Sequence, residues 1–274
     1  MRLPAAIGRY PHTAALFDGR APGLLDCADI PVISRAFAPM VREGRYAISE
    51  MAIATFLQAR EHGKPLVLLP VALAARYQES ALLCRAGSDL TPTTLAGARI
   101  GVRAYSQTTG MWLRGILAGG GVAAESIRWV TFEDAHVPEC RDPPWATRAT
   151  GDMQAMLEAG ELDAAIFGND TPKTEVLRPV FPPGASDDFA RLHGFMPVNH
   201  LLVARADVAD AATLREVLRQ VDAATALAPS GLPRGRVALM HSLAFAAHFS
   251  ARQGLIARAP SAEEIWAGLP DGIE

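Results

Sequence analysis

The chain has 274 residues, of which half are hydrophobic and 20% are charged, and its formal net charge at pH 7 is −3. This composition excludes a disordered chain, because enough apolar surface is available to form a core. The acidic balance excludes a strongly basic surface of the kind that binds nucleic acid. A chain of this length forms one large domain or two smaller ones.

The cysteines and the first residues of the chain indicate a reducing compartment. Cys27, Cys84 and Cys140 are widely spaced and form no C-x-x-C pair, which excludes a disulfide scaffold and an ordinary structural zinc site. The first ten residues contain no apolar segment of signal-peptide length, and no apolar run approaches a membrane span. With Met1 as the native start, a cytoplasmic location is expected.

The first part of the chain alternates strand-like and helical patterns. Apolar residues at helical spacing over residues 51–62 predict a helix, which Gly63 ends as a C-cap. The continuous apolar run 66–71 is typical of a strand buried on both faces. The other elements predicted here are a strand at 5–8, a turn at 10–12, a short helix closed by 39–44 and a strand at 46–49.

The polar segment 88–94 is typical of a crossing between lobes, and a second set of alternating elements follows it. The predicted elements are strands at 99–102, 127–132, 163–167 and 200–204, helices at 111–117 and 152–159, loops at 138–144 and 169–184, and final helices at 207–227, 237–252 and 262–269. Strands that alternate with helices indicate an α/β fold with mostly parallel sheets. The sequence therefore predicts two lobes with a cleft between them and a helical C-terminal tail.

Two predicted strand-to-helix junctions carry hydroxyl groups that suit an anion. At the first junction Ser49 ends a strand directly before a helix, where unpaired N–H groups attract anions, although Ser is also an ordinary N-cap. At the second junction Thr108 and Thr109 lie at the start of a helix, and this cluster fits either an anion site or a helix cap. Arg114, one turn into that helix, points either to the same anion or to solvent.

The histidines show no metal-ligand spacing, and the sequence has no G-x-S-x-G, P-loop or G-x-G-x-x-G motif. Acyl transfer of the elbow type, P-loop nucleotide chemistry and dinucleotide binding are therefore not expected. His200 opens an apolar strand after a loop that contains proline, and His12 follows the first strand in a similar way. Both are candidate site residues, because functional groups concentrate where loops meet strands.

The order and spacing of several short segments resemble the 4,5-dihydroxyphthalate decarboxylase-like family. The resemblance implies a two-lobed type II periplasmic-binding-protein-like fold, with lobe 1 formed by residues 1–86 plus 200–274 and lobe 2 by residues 87–199. It places the ligand in the interlobe cleft. The matching segments are Asp18-Gly19, Ser49-Glu50-Met51, Pro70-Val71, Gly101-Val102 with Tyr105, Thr108, Trp112 and Arg114, Gly160–Ala164, Phe195–Pro197 with His200, Gln253–Leu255, and Glu263–Trp266.

The resemblance further implies cofactor-free decarboxylation of an aromatic hydroxycarboxylic acid, a small organic anion. A proton donor must then protonate the ring carbon that loses carbon dioxide, and fixed positive charge or N–H groups must hold the carboxylates. His200 is the first candidate acid and Glu50 the second. The residues expected to bind the substrate are Ser49, Arg76, Tyr105, Thr108, Thr109, Arg114 and His12.

Two departures from the family pattern leave other functions open. The segment after the Pro-Val strand retains Arg76 but adds Glu79, where family members carry a strongly basic stretch, and His12 stands where they carry a basic residue. A changed substrate fits these differences. So does a solute-binding protein that captures a small organic anion for an ABC-type transporter or a sensor, without catalysis. A biosynthetic enzyme acting on another carboxylate is a third reading, and homo-oligomerisation stays open.

Overall fold

The structure is a computed structural model that describes residues 2–168 and 171–274. These residues form eleven β-strands and eight α-helices. The strands are β1 Leu3–Ala6, β2 Leu25–Cys27, β3 Ile48–Ala52, β4 Leu66–Ala75, β5 Leu82–Arg85, β6 Arg99–Val102, β7 Arg128–Thr131, β8 Ala146–Arg148, β9 Ala164–Ile166, β10 Leu177–Pro179 and β11 Val198–Arg205. The helices are α1 Phe37–Glu43, α2 Ile53–Glu61, α3 Thr108–Gly119, α4 Met153–Ala159, α5 Ala185–His193, α6 Ala211–Leu227, α7 Arg236–Arg252 and α8 Ala262–Trp266.

The chain divides into two compact units, each with its own sheet. Unit 1 contains the residues up to Ala75, Val198–Ala244 and Pro260–Glu274, and unit 2 contains Arg76–Pro197 and Phe245–Ala259. The boundaries differ from the predicted ones, because residues 76–86 and 245–259 lie in unit 2. The segment 88–94, expected as a crossing, lies inside unit 2, and the chain changes unit between Ala75 and Arg76.

The sheet of unit 1 has the strand order β2-β1-β3-β11-β4. β1 runs parallel to β2 and β3, whereas β11 runs antiparallel to β3 and β4. Strand β4 is almost entirely buried, as its apolar run predicts. It lies at the edge of the sheet, which accommodates Pro70, since proline cannot donate a ladder hydrogen bond.

Strand β3 is longer and starts later than predicted. Glu50, Met51 and Ala52 continue the strand and pair with β11. Helix α2 therefore begins at Ile53, with Ala52 as its N-cap. The prediction that a helix begins directly after Ser49 is wrong, because pairing with β11 holds the next three residues in the sheet.

The sheet of unit 2 has the order β10-β5-β9-β6-β7-β8. Strand β6 is parallel to β7 and β9, and β7 is parallel to β8, whereas β5 is antiparallel to both of its neighbours. A core cluster lies between α4 and the sheet; its buried members are Leu83, Leu157, Leu162, Ala165, Phe167 and Leu177. The predicted loop 169–184 contains the short strand β10, while residues 169 and 170 lie outside the described residues.

The predicted helical tail is present as α6, α7 and α8. Helix α7 serves both units, because its residues from Phe245 onward belong to unit 2. There Phe249 contacts Trp112 of α3 edge-on, with ring centroids 5.7 Å apart. The prediction placed residues 245–259 in lobe 1, and this aromatic contact explains why they belong to unit 2 instead. Within the described part of the chain, no helix combines the length and apolar character needed to cross a membrane.

Candidate functional site

A buried carboxylate with three hydrogen-bond partners lies in the sheet of unit 1. Glu50 of β3 is completely inaccessible to solvent. Its Oε2 accepts a hydrogen bond from the backbone N–H of Gly8 at 2.8 Å. Its Oε1 accepts one from the Tyr10 hydroxyl at 2.6 Å and lies 2.6 Å from Nδ1 of His200. A buried carboxylate requires such donors, because an isolated one costs several kcal/mol.

His200 of β11 is held by this carboxylate. With its Nδ1 hydrogen-bonded to Glu50, the neutral ring carries a proton on Nδ1 and a lone pair on Nε2. The ring packs edge-on against Phe37, with centroids 5.2 Å apart. Its side chain is 14% exposed, whereas that of Glu50 is 0% exposed. This arrangement fixes the orientation of the imidazole and leaves Nε2 as the ring nitrogen that is not bonded to Glu50.

Tyr10 and His12 form the rest of this site on the loop after β1. Their rings stack with centroids 5.2 Å apart and an interplanar angle of 8°. Burial, with the Glu50 carboxylate beside it, raises the pKa of the Tyr10 phenol well above its usual range, so the phenol stays a donor. Burial lowers the pKa of His12, although the Leu73 carbonyl and Glu50 favour its charged form. Nε2 of His12 is buried and has no hydrogen-bond partner among the described residues.

Tyr10 is the member of this site that sequence reasoning missed. The sequence placed it only in a turn after the first strand. A signal was available, because β1 and β3 are parallel neighbours, and parallel strands bring their carboxyl ends to the same edge of a sheet. Because Ala6, the last residue of β1, pairs with Ser49 of β3, the residues after β1 lie beside Glu50.

Ser49 does not occupy the position expected of it. It lies inside β3, and its side chain points to the opposite face of the sheet from Glu50, because side chains alternate along a strand. Its hydroxyl donates to the Glu50 carbonyl at 2.8 Å, and the residue is completely buried. The expected placement of Ser49 at a helix start is corrected by the length of β3.

Arg76 and Thr109 meet in unit 2, as the assignment of both to one ligand requires. Nη2 of Arg76 donates to Oγ1 of Thr109 at 3.0 Å, and Nη1 donates to the Gly168 carbonyl at 2.8 Å. Helix α3 begins at Thr108, and its N-cap side chain, Gln107, makes no cap hydrogen bond. The first N–H groups of a helix have no acceptor within the helix. Donors of three kinds are thus gathered at the start of α3.

Arg114 does not point to solvent, which was one of the two positions expected of it. Its side chain is enclosed in unit 2 and only 1% exposed. Nε donates to Gln253 Oε1 at 2.7 Å, and Nη2 donates to the Tyr105 carbonyl at 2.6 Å. The guanidinium lies over the Tyr105 ring, 3.9 Å from its centroid. Arg114 and the buried ring of Tyr105 therefore brace the loop before α3.

The electrostatics of Arg114 reflect this burial, which lowers the pKa of the guanidinium to about 10. Its Nη1 is buried without a hydrogen-bond partner among the described residues. Gly110 leaves the room that Nη1 needs, since a Cβ at that position would lie 3.1 Å from it. A positive charge is therefore buried beside the first turn of α3.

His12, Glu50 and His200 were the residues of the sequence that could meet around a metal ion. In the described ranges 2–168 and 171–274, no group of three or more His, Cys, Asp and Glu side chains is placed to hold a metal ion. The three cysteines are free thiols.

The fold is that of the type II periplasmic-binding proteins, as predicted. The periplasmic aliphatic sulphonate binding protein SsuA from Escherichia coli matches 98% of this chain and 79% of its own, with a TM-score of 0.58 and 15% identity. The alkanesulfonate-binding protein SsuA from Xanthomonas axonopodis pv. citri, bound to MOPS, matches 98% of this chain and 84% of its own, with a TM-score of 0.51 and 14% identity. At these identities the likeness shows the fold alone.

The sequence resemblance to 4,5-dihydroxyphthalate decarboxylases is confirmed as a distant one. The protein of that name from Comamonas testosteroni is 30% identical over 144 residues, which are 49% of this chain and 43% of that protein. The one from Pseudomonas putida is 26% identical over 219 residues, 70% of this chain and 82% of that protein. The match thus spans less than half of the first of these two relatives. No family model matches the chain.

Proposed function

We propose that the protein is a lyase that decarboxylates an aromatic hydroxycarboxylic acid. The observation that carries this proposal is the contact of 2.6 Å between His200 Nδ1 and the buried Glu50 carboxylate. It holds the imidazole in one orientation, as a general acid requires. The distant relatives named 4,5-dihydroxyphthalate decarboxylase support this reaction class.

In the proposed reaction the His200 imidazolium transfers its Nε2 proton to the ring carbon that carries the leaving carboxylate. A hydroxyl para to that carbon stabilises the resulting cation by donating electron density. The bond between the ring and the carboxylate then breaks, its electron pair restores aromaticity, and carbon dioxide leaves. His200 is left neutral and regains a proton from solvent. Glu50 holds the imidazole in place and acts as a positioning residue.

Unit 2 by itself carries groups that suit a carboxylate. Thr109 Oγ1 accepts from Arg76 and keeps its own proton for donation to an anion. The N–H groups at the start of α3 add donors and a positive dipole end. Arg114 contributes through its buried charge beside this turn, as a positioning residue rather than by direct contact.

The alternative is a solute-binding protein for a small organic anion, without catalysis. The favouring observation is the fold, which the sulfonate-binding neighbours share, together with the donors at the start of α3. In that case His200 and Tyr10 recognise a ligand and transfer no proton to carbon. A cytoplasmic location accompanies the lyase proposal, and export accompanies the alternative.

Mass spectrometry distinguishes the two functions. The purified protein is incubated with 4,5-dihydroxyphthalate and a panel of hydroxybenzoates, with heat-inactivated protein as the control. Loss of carbon dioxide from any acid in the active sample alone supports the lyase. An intact acid that stays bound through native mass spectrometry, with no product, supports the binding protein. If the protein neither turns over nor binds any of these acids, both functions are contradicted.

A further inference from the structure

A pocket of about 650 Å³ lies within unit 2, and its lining residues include neither Arg76 nor residues of α3. Its wall is largely apolar and rich in proline. Leu90, Pro92, Val180, Phe181 and Pro182 line it. Pockets of this volume and character suit small organic ligands, which are held by apolar walls and oriented by a few polar groups.

The acidic group of this pocket is the carboxylate of Glu79, the residue that departs from the basic family pattern. Glu79 lines the pocket, yet the residue is only 3% exposed. Its Oε2 accepts a hydrogen bond from the Ser186 hydroxyl at 3.0 Å. No ion pair to Glu79 is present among the residues that the structure describes. A buried carboxylate with a single hydroxyl partner is costly unless a cation neutralises it.

The other charged residue of the wall does not supply that cation. Nη2 of Arg178 donates to the carbonyls of Ser88 and Leu90, at 2.6 and 3.0 Å. Its Nη1 donates to the Pro179 carbonyl at 2.8 Å. These bonds fix the guanidinium on backbone oxygens. The pocket therefore combines an apolar wall, a fixed arginine and a carboxylate whose countercharge is missing.

We propose that this pocket binds a small organic ammonium ion with a hydrocarbon body. The ammonium group pairs with Glu79 and donates to its carboxylate, while the hydrocarbon packs against Phe181 and the prolines. The carboxylate of Glu79 attracts the ammonium group and the apolar wall holds the hydrocarbon body, so an organic amine fits this pocket better than a bare metal ion. This site goes beyond the proposed lyase function and does not depend on it.

Calorimetric titration with benzylammonium tests the proposal, with benzyl alcohol as the uncharged probe of nearly equal shape. Saturable binding of benzylammonium is expected, at least ten-fold tighter than that of benzyl alcohol. Glu79→Gln is expected to lower the affinity at least ten-fold. Glu125→Gln, which removes an exposed carboxylate of the same unit, is expected to leave the affinity unchanged.

A second variant keeps the test decisive if Glu79→Gln disturbs folding. Ser80 is exposed and lines the pocket, so Ser80→Phe fills it and is expected to reduce benzylammonium binding without lowering the thermal midpoint. Failure of the wild-type protein to bind benzylammonium overturns the proposal. Unchanged affinity in folded Glu79→Gln or in Ser80→Phe also overturns it. None of these outcomes bears on the turnover of hydroxybenzoates.

Discussion

Glu50 and His200 are 150 positions apart in the sequence, yet they are diagonal neighbours on one face of the unit 1 sheet. In the antiparallel register, His200 pairs with Ala52 and Leu202 pairs with Glu50. Diagonal side chains on one sheet face lie within reach of each other when they are long. The pairing of two rigid strands therefore fixes the distance between carboxylate and imidazole, and a lasting hydrogen bond follows.

Replacement of His200 by Asn tests its proposed role as the proton donor. The decarboxylation rate kcat is expected to fall at least about 100-fold, because asparagine cannot protonate carbon. The dissociation constant of the substrate is expected to change less than about three-fold, since the amide retains a hydrogen bond to Glu50. Steady-state kinetics and calorimetry measure the two quantities. The control is His62→Asn, at the exposed end of α2, which should keep wild-type turnover. If His200→Asn also keeps wild-type turnover, His200 is not the proton donor.

The raised pKa of Tyr10 predicts a specific dependence of stability on pH. The unfolded phenol titrates near about 10, whereas the folded one titrates higher. Above pH 10 the unfolded state loses this proton and the folded state keeps it, so the free energy of unfolding falls as pH rises. Tyr10→Phe removes the titrating phenol. The free energy of unfolding of this variant should therefore decline less steeply than that of the wild type between pH 9 and 11.

At pH 8 the same variant should be less stable by about 2 kcal/mol, because the Glu50 carboxylate loses a donor. Urea titrations across the pH series give both quantities. Parallel curves for wild type and Tyr10→Phe, at any offset, would contradict the raised phenol pKa.

The sequence was sufficient for the fold class because its apolar runs are strong. The run that begins at Leu66 is buried as expected, and helices recur where the spacing is helical. The site was predictable only in part. Periodicity places Glu50 and His200 near strands but does not give the register that joins them. Periodicity also does not show which way the Arg114 side chain points. Its direction depends on Gln253, which is distant in the sequence, and on the carbonyl of Tyr105, which lies in a loop.

Arg114→Met tests whether this arginine is structural. The variant leaves Gln253 Oε1 and the Tyr105 carbonyl without their donor, and each unpaired buried group costs about 1–3 kcal/mol. We expect the free energy of unfolding to fall by about 3 kcal/mol in urea titrations. The control Arg128→Met changes an exposed arginine of β7 in the same unit and should stay within about 0.5 kcal/mol. Equal stability of the two variants would show that burial of the charge costs as much as its bonds contribute.

Thr109→Val tests carboxylate binding at the start of α3. The variant removes the hydroxyl that accepts a hydrogen bond from Arg76 and that, in the proposed function, donates to the carboxylate of the ligand. It keeps the shape of the side chain. The affinity for 4-hydroxybenzoate is expected to fall about five-fold, the worth of one hydrogen bond. Calorimetry measures it, with the exposed Thr93→Val as the matched control. An affinity equal to that of the control would exclude Thr109 from the ligand site.

Two glycines of α3 predict opposite effects of the same substitution. A Cβ at Gly115 would lie 2.0 Å from the Phe249 ring, whereas one at Gly119 would meet nothing within 4 Å. Gly115→Ala must displace Phe249 from its contact with Trp112, and overpacking of this kind costs about 1–3 kcal/mol. Gly119→Ala relieves no clash and creates none, so the higher helix propensity of alanine should stabilise the protein by up to about 1 kcal/mol. Urea titration of both variants gives the comparison. Equal stability changes would mean that α7 does not pack against α3 at Gly115. That result would also contradict the aromatic contact between Phe249 and Trp112, which holds the end of α7 in unit 2.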